Sequence, residues 1–490
     1  MISVLPALAL NSGGAGILII GLIIIGIVAF FVLVPLFLAA CLRLAVRLGR
    51  LLGILEKEKV RDETEKADKI LRGPVIESEG KSSQRSVQRK ADDLYIGGVQ
   101  IPTQAEGQHI LFSGSTGTGK SQGIGYLLSA IRSRKSRAIL IDASGDYLSK
   151  FYQRGDAVFN PFDERSVDWS PFAEIRNDFD CSLIAKAVIP DGQGEQAEWH
   201  HYAQSLFGET LLKLHQTGIH SVKQLLFYTT AADRKELEEF LGDTPAASMC
   251  KEDNDKMLGS VRAIMGSFLH AWRSLQDKGK FSIRDWVRNE TGAGWLYITY
   301  RDDQFAMLRT LVSTLLDLSF IEGLSLDINP NRDLWFVMDE VDSLGKVNSL
   351  STGLSRFRKY GCKCILGIQT ISQLRATYGS DSAQTVMANL GTKLILRAGD
   401  GETAEYLSKE IGDQEIRRIQ ETSGMSGGHS TTSETFTHDN QRTVLPSELM
   451  MLPDLTGFLK GSSTLFRVEL RYQEYPKVAA SFVPKNQVRR

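Results

Sequence analysis

Eight consecutive residues carry the clearest chemistry in this chain of 490: Gly114, Ser115, Thr116, Gly117, Thr118, Gly119, Lys120 and Ser121. Their spacing is that of a P-loop, G-x-x-x-x-G-K-[ST]. The flanks suit it, with an apolar run (Ile110, Leu111, Phe112) before it and a helical pattern (Ile124, Leu127, Leu128, Ile131) after it. The glycines let the backbone curl until its N–H groups face phosphate oxygens, and the following helix adds its positive end. Lys120 is expected to place a cation on the β- and γ-phosphates, and the Ser121 hydroxyl to ligate Mg²⁺. ATP and Mg²⁺ are therefore the expected cofactors.

Such a loop needs an acidic partner at the end of a neighbouring strand. Leu334 to Met338 reads as a buried strand, and Asp339 and Glu340 follow it. Asp339 is expected to hold the metal ion, largely through water, and Glu340 to orient and deprotonate an attacking water. The adjacent acids favour a hydrolase over a kinase, and no Asn-Lys-x-Asp guanine signature follows the loop. Gln369 ends the strand Cys364 to Ile368, where it could sense the γ-phosphate or cap the next helix. Arg397 ends the strand Lys393 to Leu396, where it could reach a neighbouring subunit's nucleotide as an arginine finger or form a surface salt bridge. His200, His201, His215 and His220 lack acidic or cysteine companions and read as solvated or packing side chains. Arg356, Arg358 and Lys359 read as a solvated helix face, with DNA contact as the alternative.

These residues must be positioned by a sheet. Short apolar runs at Ile110–Phe112, Ala138–Ile141, Trp295–Thr299, Leu334–Met338, Cys364–Ile368 and Lys393–Leu396 alternate with helical spacing, which predicts an α/β fold with a mainly parallel sheet covered on both faces. Strand signals vanish between residues 178 and 281. There Met257, Leu258, Val261, Ile264, Met265, Phe268, Leu269, Trp272 and Leu275 form one face of an amphipathic helix, so an all-α insertion is expected. The Ser/Thr/Gly-rich stretch from Glu421 to Asn440 is expected to be a flexible loop. The resulting plan is a nucleotide-binding domain at 95–177 and 282–490, an inserted all-α domain at 178–281 and a cytoplasmic linker at 56–94.

No charged residue occurs from Met1 to Leu42, and Arg43, Arg47 and Arg50 follow at once. A run this long crosses about 30 Å of hydrocarbon as a helix, and the arginines place the C-terminal side in the cytoplasm. Residues 1–55 therefore form an expected membrane anchor, with one span favoured over two. The remaining composition excludes more than it specifies. With 57 basic and 58 acidic residues the formal charge is −1, so any nucleic-acid contact must be local. The five scattered cysteines fit a reducing compartment.

Beyond the P-loop and its acidic partner, FSGSTGTGKS, ILIDASGDYLSKFY, FNPFDERSVDWSPFAEIRNDFD, LWFVMDEVDSLGKV, GIQTISQL and VLPSELMMLPDLTGFLK closely resemble the conjugative coupling proteins of type IV secretion, the TraD/TrwB family. The likeness covers nearly everything after residue 95. It implies a RecA-like nucleotide-binding domain with an inserted all-α domain, assembly as a homo-hexamer around a channel, and a place in the bacterial inner membrane with the bulk of the chain in the cytoplasm. It further implies DNA-stimulated ATP hydrolysis that couples a relaxase-bound single-stranded DNA, with other relaxosome proteins, to the components of a type IV secretion channel during conjugation. The competing reading is a nucleotide-gated membrane docking receptor for relaxase or effector proteins that pumps no DNA. Two departures from the family pattern stand out: family members commonly have two spans, and no long acidic tail follows Leu465 to Arg471. Substrate choice is accordingly expected to rest on the helical insertion.

Overall fold

The computed structural model describes residues 69–77 and 93–485 apart from positions 193, 293, 342, 427 and 428, with scattered positions between 37 and 48. The expected membrane span, Phe37 apart, and the stretch 78–92 lie outside the described residues. The first elements are strands β1 (Lys69–Arg72), β2 (Ile76–Glu77), β3 (Leu94–Ile96) and β4 (Val99–Ile101), then the short helix α1 (Thr103–Glu106). An alternating stretch follows: β5 (Ile110–Ser113), α2 (Lys120–Ser133), β6 (Arg137–Ala143), α3 (Asp146–Phe151) and β7 (Ala157–Phe159). Helices α4 (Phe179–Val188), α5 (Gln196–Gln216), α6 (Val222–Thr230), α7 (Arg234–Leu241), α8 (Asp255–Leu269) and α9 (Ile283–Arg288) come next. The alternation then resumes with β8 (Trp295–Tyr300), α10 (Asp302–Leu324), β9 (Leu334–Met338), α11 (Leu350–Arg356), β10 (Cys362–Ile368), α12 (Ile371–Tyr378), α13 (Ser380–Ala388), β11 (Thr392–Ile395) and α14 (Gly401–Ile411). The chain continues through β12 (Asp413–Ser426), β13 (His429–Arg442), α15 (Pro446–Met450), β14 (Thr456–Lys460) and β15 (Leu465–Glu469).

Ten strands form one sheet in the order β2-β15-β14-β11-β5-β10-β9-β6-β8-β7. From β11 through β7 every pairing is parallel, while β14 joins β11 and β15 antiparallel. The six apolar runs read from the sequence are the six central strands. All are buried on both faces, which is why they read as continuous rather than alternating hydrophobic segments. This is the expected α/β, RecA-like architecture with helices inserted between β7 and β8.

The inserted helices share a continuous core with one face of the sheet. Trp272, just after α8, packs edge-on against Trp169 on the entry side and against Phe207 of α5, with ring centroids 5.5 and 5.6 Å apart. Aromatic edge contacts of this kind add to plain area burial. Buried Glu322 of α10 accepts from Arg176 (3.0 Å), Arg284 (2.9 Å) and Arg288 (2.7 Å), and Arg284 also donates to Asp180 (2.7 Å). These bonds tie both ends of the helical segment to α10. Among the described residues, α10 is the one helix long and apolar enough to cross a bilayer; Leu308, Leu311, Val312 and Leu315 bury it in the core instead.

A second compact unit contains β1 and residues 415–440. The expected loop at 421–440 is here the outer part of a three-stranded sheet, β1-β12-β13, with Lys69 paired to Arg417 and Ile70 to Ile416. A ribbon draws its hydrogen bonds from the backbone and needs no apolar stripe. The threonines at 435 and 437 favour the extended chain, so low hydrophobicity here was the wrong guide. The Arg417 guanidinium lies 5.0 Å from the Phe436 ring across the strands.

After β15 the chain runs as an extended strap over the larger unit. Gln473 N–H donates to Gln122 (3.1 Å), and the Tyr475 ring lies 5.0 Å from Phe151. Val478 and Ala479 donate N–H to the Ser149 carbonyl at 2.7 and 3.1 Å. Val483 donates to Asp163 (3.1 Å) and accepts from Glu164 N–H (2.8 Å), while Arg165 donates to the Ala480 carbonyl (2.7 Å).

The P-loop strand is fixed at its entry by His109. Cys364 N–H donates to Nδ1 at 3.0 Å, so Nε2 carries the hydrogen and donates to the Leu354 carbonyl at 2.9 Å. Burial drives the His109 pKa from 6.5 to about 4, so the native ring stays neutral where an unfolded one charges. The stability this provides is complete above pH 6.5 and is lost as pH falls toward 4. Denaturant titrations at pH 7 and pH 5 are expected to show wild type losing about 2 kcal/mol more than a His109→Gln variant; equal losses would contradict the neutral assignment.

Candidate nucleotide site

The strand register brings the chemical residues to one level. Ser113 at the end of β5 pairs with Ile368 of β10, Leu366 of β10 pairs with Met338 of β9, and Met338 pairs with Ile141 of β6. The residues next in sequence to these are Gly114, Gln369, Asp339 and, still within β6, Asp142. They meet at the carboxyl edge of the sheet, where ligands bind in open α/β folds. Because β10 lies between β5 and β9, Gln369 sits between the P-loop and the acidic pair.

The loop is shaped by glycine. Gly117 (φ 80°) and Gly119 (φ 111°) occupy left-handed backbone that other residues resist. Thr118, which is buried, donates its hydroxyl to the Ser115 carbonyl (2.7 Å), and its own carbonyl accepts from Leu455 N–H (2.9 Å). Lys120 is buried, with Nζ donating to the carbonyls of Gly114 (2.5 Å) and Ser115 (3.2 Å), so the cation already lies inside the curl of the loop.

Ser115, Thr116, Gly117, Gly119, Lys120, Ser121, Asp339, Glu340 and Gln369 line one cleft of about 400 Å³. Ser121 Oγ donates to Asp339 Oδ2 at 2.9 Å. Gln369 donates its amide to Glu340, and its carbonyl oxygen accepts from Thr116 Oγ1 at 3.5 Å. The cap of α12 is Thr370, whose hydroxyl accepts from Gln373 N–H, so Gln369 is left to the cleft. Gly114, Thr118 and Arg397 do not line it. The Arg397 carbonyl accepts from Ser115 N–H (2.9 Å), while its guanidinium pairs with Asp454 (2.8 Å) and donates to the Leu452 carbonyl (3.3 Å). Within one chain Arg397 therefore braces the loop from outside.

The lining also includes Asp142, Tyr147 and Tyr300, whose roles the sequence alone does not disclose. Asp142 is fully buried and accepts from Tyr147 N–H (3.1 Å) and Leu148 N–H (2.6 Å). Burial pushes its pKa up to about 7 against those two donors. Tyr147 donates its hydroxyl to Asp339 Oδ2 at 2.7 Å. The available signal was the acid ending the run Ala138–Ile141, with a tyrosine five residues on. Elsewhere, His200 bonds the Pro190 carbonyl (2.6 Å) and His215 stacks on His220 (5.2 Å), while Arg356, Arg358 and Lys359 are exposed.

The residues present fit a Mg²⁺–nucleotide. Two left-handed glycines leave room for phosphate, a buried ammonium faces it, and a hydroxyl–carboxylate pair supplies the hard oxygens this ion takes. Comparison with known proteins agrees. The family model of the type IV secretion-system coupling protein DNA-binding domain matches residues 93–472. Coupling protein TraD of Escherichia coli (strain K12) is 30% identical over 409 residues, covering 81% of this chain and 57% of TraD, so the chain spans little more than half the length of that relative. The solved structure of unbound TrwBdeltaN70, a bacterial conjugative coupling protein, superposes with a TM-score of 0.78 at 34% identity, covering 85% of this chain and 97% of that one. The plasmid coupling protein TrwB in complex with ADP and Mg²⁺ gives 0.77 at 34%, covering 86% and 98%. With a family match over most of its length and a shared fold at this identity, the chain belongs to the type IV secretion-system coupling proteins.

Proposed function

We propose that this chain is a membrane-anchored ATPase that couples a relaxase–DNA complex to a type IV secretion channel and drives conjugative transfer of single-stranded DNA. The observation that carries the reading is the cleft itself: Ser121 and Asp339 sit 2.9 Å apart below a P-loop, with Glu340 next in sequence. The family assignment and the ADP–Mg²⁺ complex of TrwB support it. The apolar run before Leu42 and the arginines after it support an inner-membrane anchor with the catalytic bulk in the cytoplasm.

Bound Mg²⁺ would neutralise charge on the phosphates. Ser121 and Asp339 hold that ion, and Lys120 turns from the loop carbonyls to the β- and γ-phosphates. Glu340 takes a proton from water as its oxygen bonds to the γ-phosphorus, while the bond to the β–γ bridging oxygen breaks and ADP leaves. Gln369, bonded to both Glu340 and Thr116, links the base to the phosphate loop and orients the water. In a hexamer Arg397 would serve a neighbour's nucleotide only after releasing Asp454.

Two measurements test this. ATP turnover by the full chain in detergent is expected to rise with single-stranded DNA and to vanish in Lys120→Thr; turnover indifferent to DNA but abolished by that variant would favour a nucleotide-gated docking receptor. Glu340→Gln is expected to retain ATP binding while turnover falls by roughly 10²–10⁴-fold, the usual contribution of a positioned base. A loss of less than about tenfold would remove Glu340 from that role.

A further inference from the structure

The phrase DASGDYLSKF answers no general requirement of a P-loop, yet the structure puts it to use. Ser144 (φ 62°) and Gly145 (φ 68°) are both left-handed, and this sharp turn out of β6 starts α3 with Tyr147 directed into the cleft. A Cβ on Gly145 would lie 2.2 Å from the Ser481 carbonyl oxygen, so that position admits no side chain. The Tyr147 ring is buried, and its hydroxyl donates to the same Asp339 oxygen that takes the Ser121 hydroxyl.

Helix α3 is held from two sides. Inside, Asp142 receives the Tyr147 and Leu148 amides. Outside, the Ser149 carbonyl receives both Val478 and Ala479 N–H from the strap.

We propose that Tyr147 is a positioning residue for the metal: it holds one oxygen of Asp339 in place when Ser121 leaves that carboxylate for Mg²⁺. Groups that orient a metal's acidic partner in this way are commonly worth 10–100-fold in metal affinity. The inference rests on the reading of the cleft as a Mg²⁺–nucleotide site.

The test is a Mg²⁺ titration of the full chain with a fluorescent ADP analogue, which needs no turnover. Tyr147→Phe is expected to require about tenfold more Mg²⁺ for half-maximal binding, in line with such orienting groups, while its affinity in EDTA stays at the wild-type level. In an Asp339→Asn background the same substitution is expected to add nothing. An unmoved Mg²⁺ half-point, an equal loss with and without Mg²⁺, or an undiminished effect beside Asp339→Asn would each overturn the role. If the Phe variant does not fold, Tyr147→Met fills similar space without a donor and is judged by the same criteria. A wild-type chain whose ADP affinity ignores Mg²⁺ would take down the site reading as well, whereas Mg²⁺-dependent wild type with an unmoved variant removes only Tyr147.

Discussion

Everything at the cleft depends on how closely β9 and β10 approach where they end. Leu366 is level with Met338, and a Cβ on Gly367 would lie 1.9 Å from the Asp339 carbonyl oxygen. No side chain can stand there. The backbone of Asp339 therefore crosses over Gly367, and Val341 N–H donates to the Gly367 carbonyl at 3.1 Å. That crossing sets Asp339 against Ser121 and Glu340 against Gln369. The P-loop is drawn into the same plane by Gly114 N–H bonding the Ile368 carbonyl at 3.2 Å and Leu396 N–H bonding the Ser113 carbonyl at 2.8 Å.

A site built this way concentrates charge, and each charge there has an address. Lys120 rests on loop carbonyls, Asp339 on two hydroxyls, Asp142 on two amides and Glu340 on an amide side chain. Unpartnered, any of these would be costly to bury. The same donors and acceptors define where nucleotide phosphates and a metal would enter, because each resting bond is one that a ligand can replace in kind. The neutral His109 beneath β5 follows the same rule without taking part in the chemistry.

The central strands and the P-loop were legible because buried parallel strands read as unbroken apolar runs and because phosphate binding imposes fixed spacing. Asp339, Glu340 and Gln369 followed from their places at strand ends, and the structure gathers all three around one cleft. The sequence was silent where a role depends on three-dimensional neighbours. Tyr147 looks like an ordinary core aromatic until the left-handed pair Ser144–Gly145 turns it toward Asp339. Short strands such as β7 and β14 carry too few apolar residues to stand out. The polar ribbon of β12 and β13 misled because hydrophobicity reports burial, whereas a ribbon is held by its backbone.

The strap has a consequence in time. Val483 bonds Asp163 across a separation of 320 residues, and the strap also seals the outer side of the helix that bears Tyr147. Chains are made from the N-terminus at about 5–20 residues per second, so on the order of tens of seconds separate the synthesis of the 160–166 loop from that of the segment that covers it. Through that interval α2 and α3 exist without their outer clamp. The fold around the cleft is thus completed only after the segment from Gln473 to Val483 has been made, long after the P-loop itself.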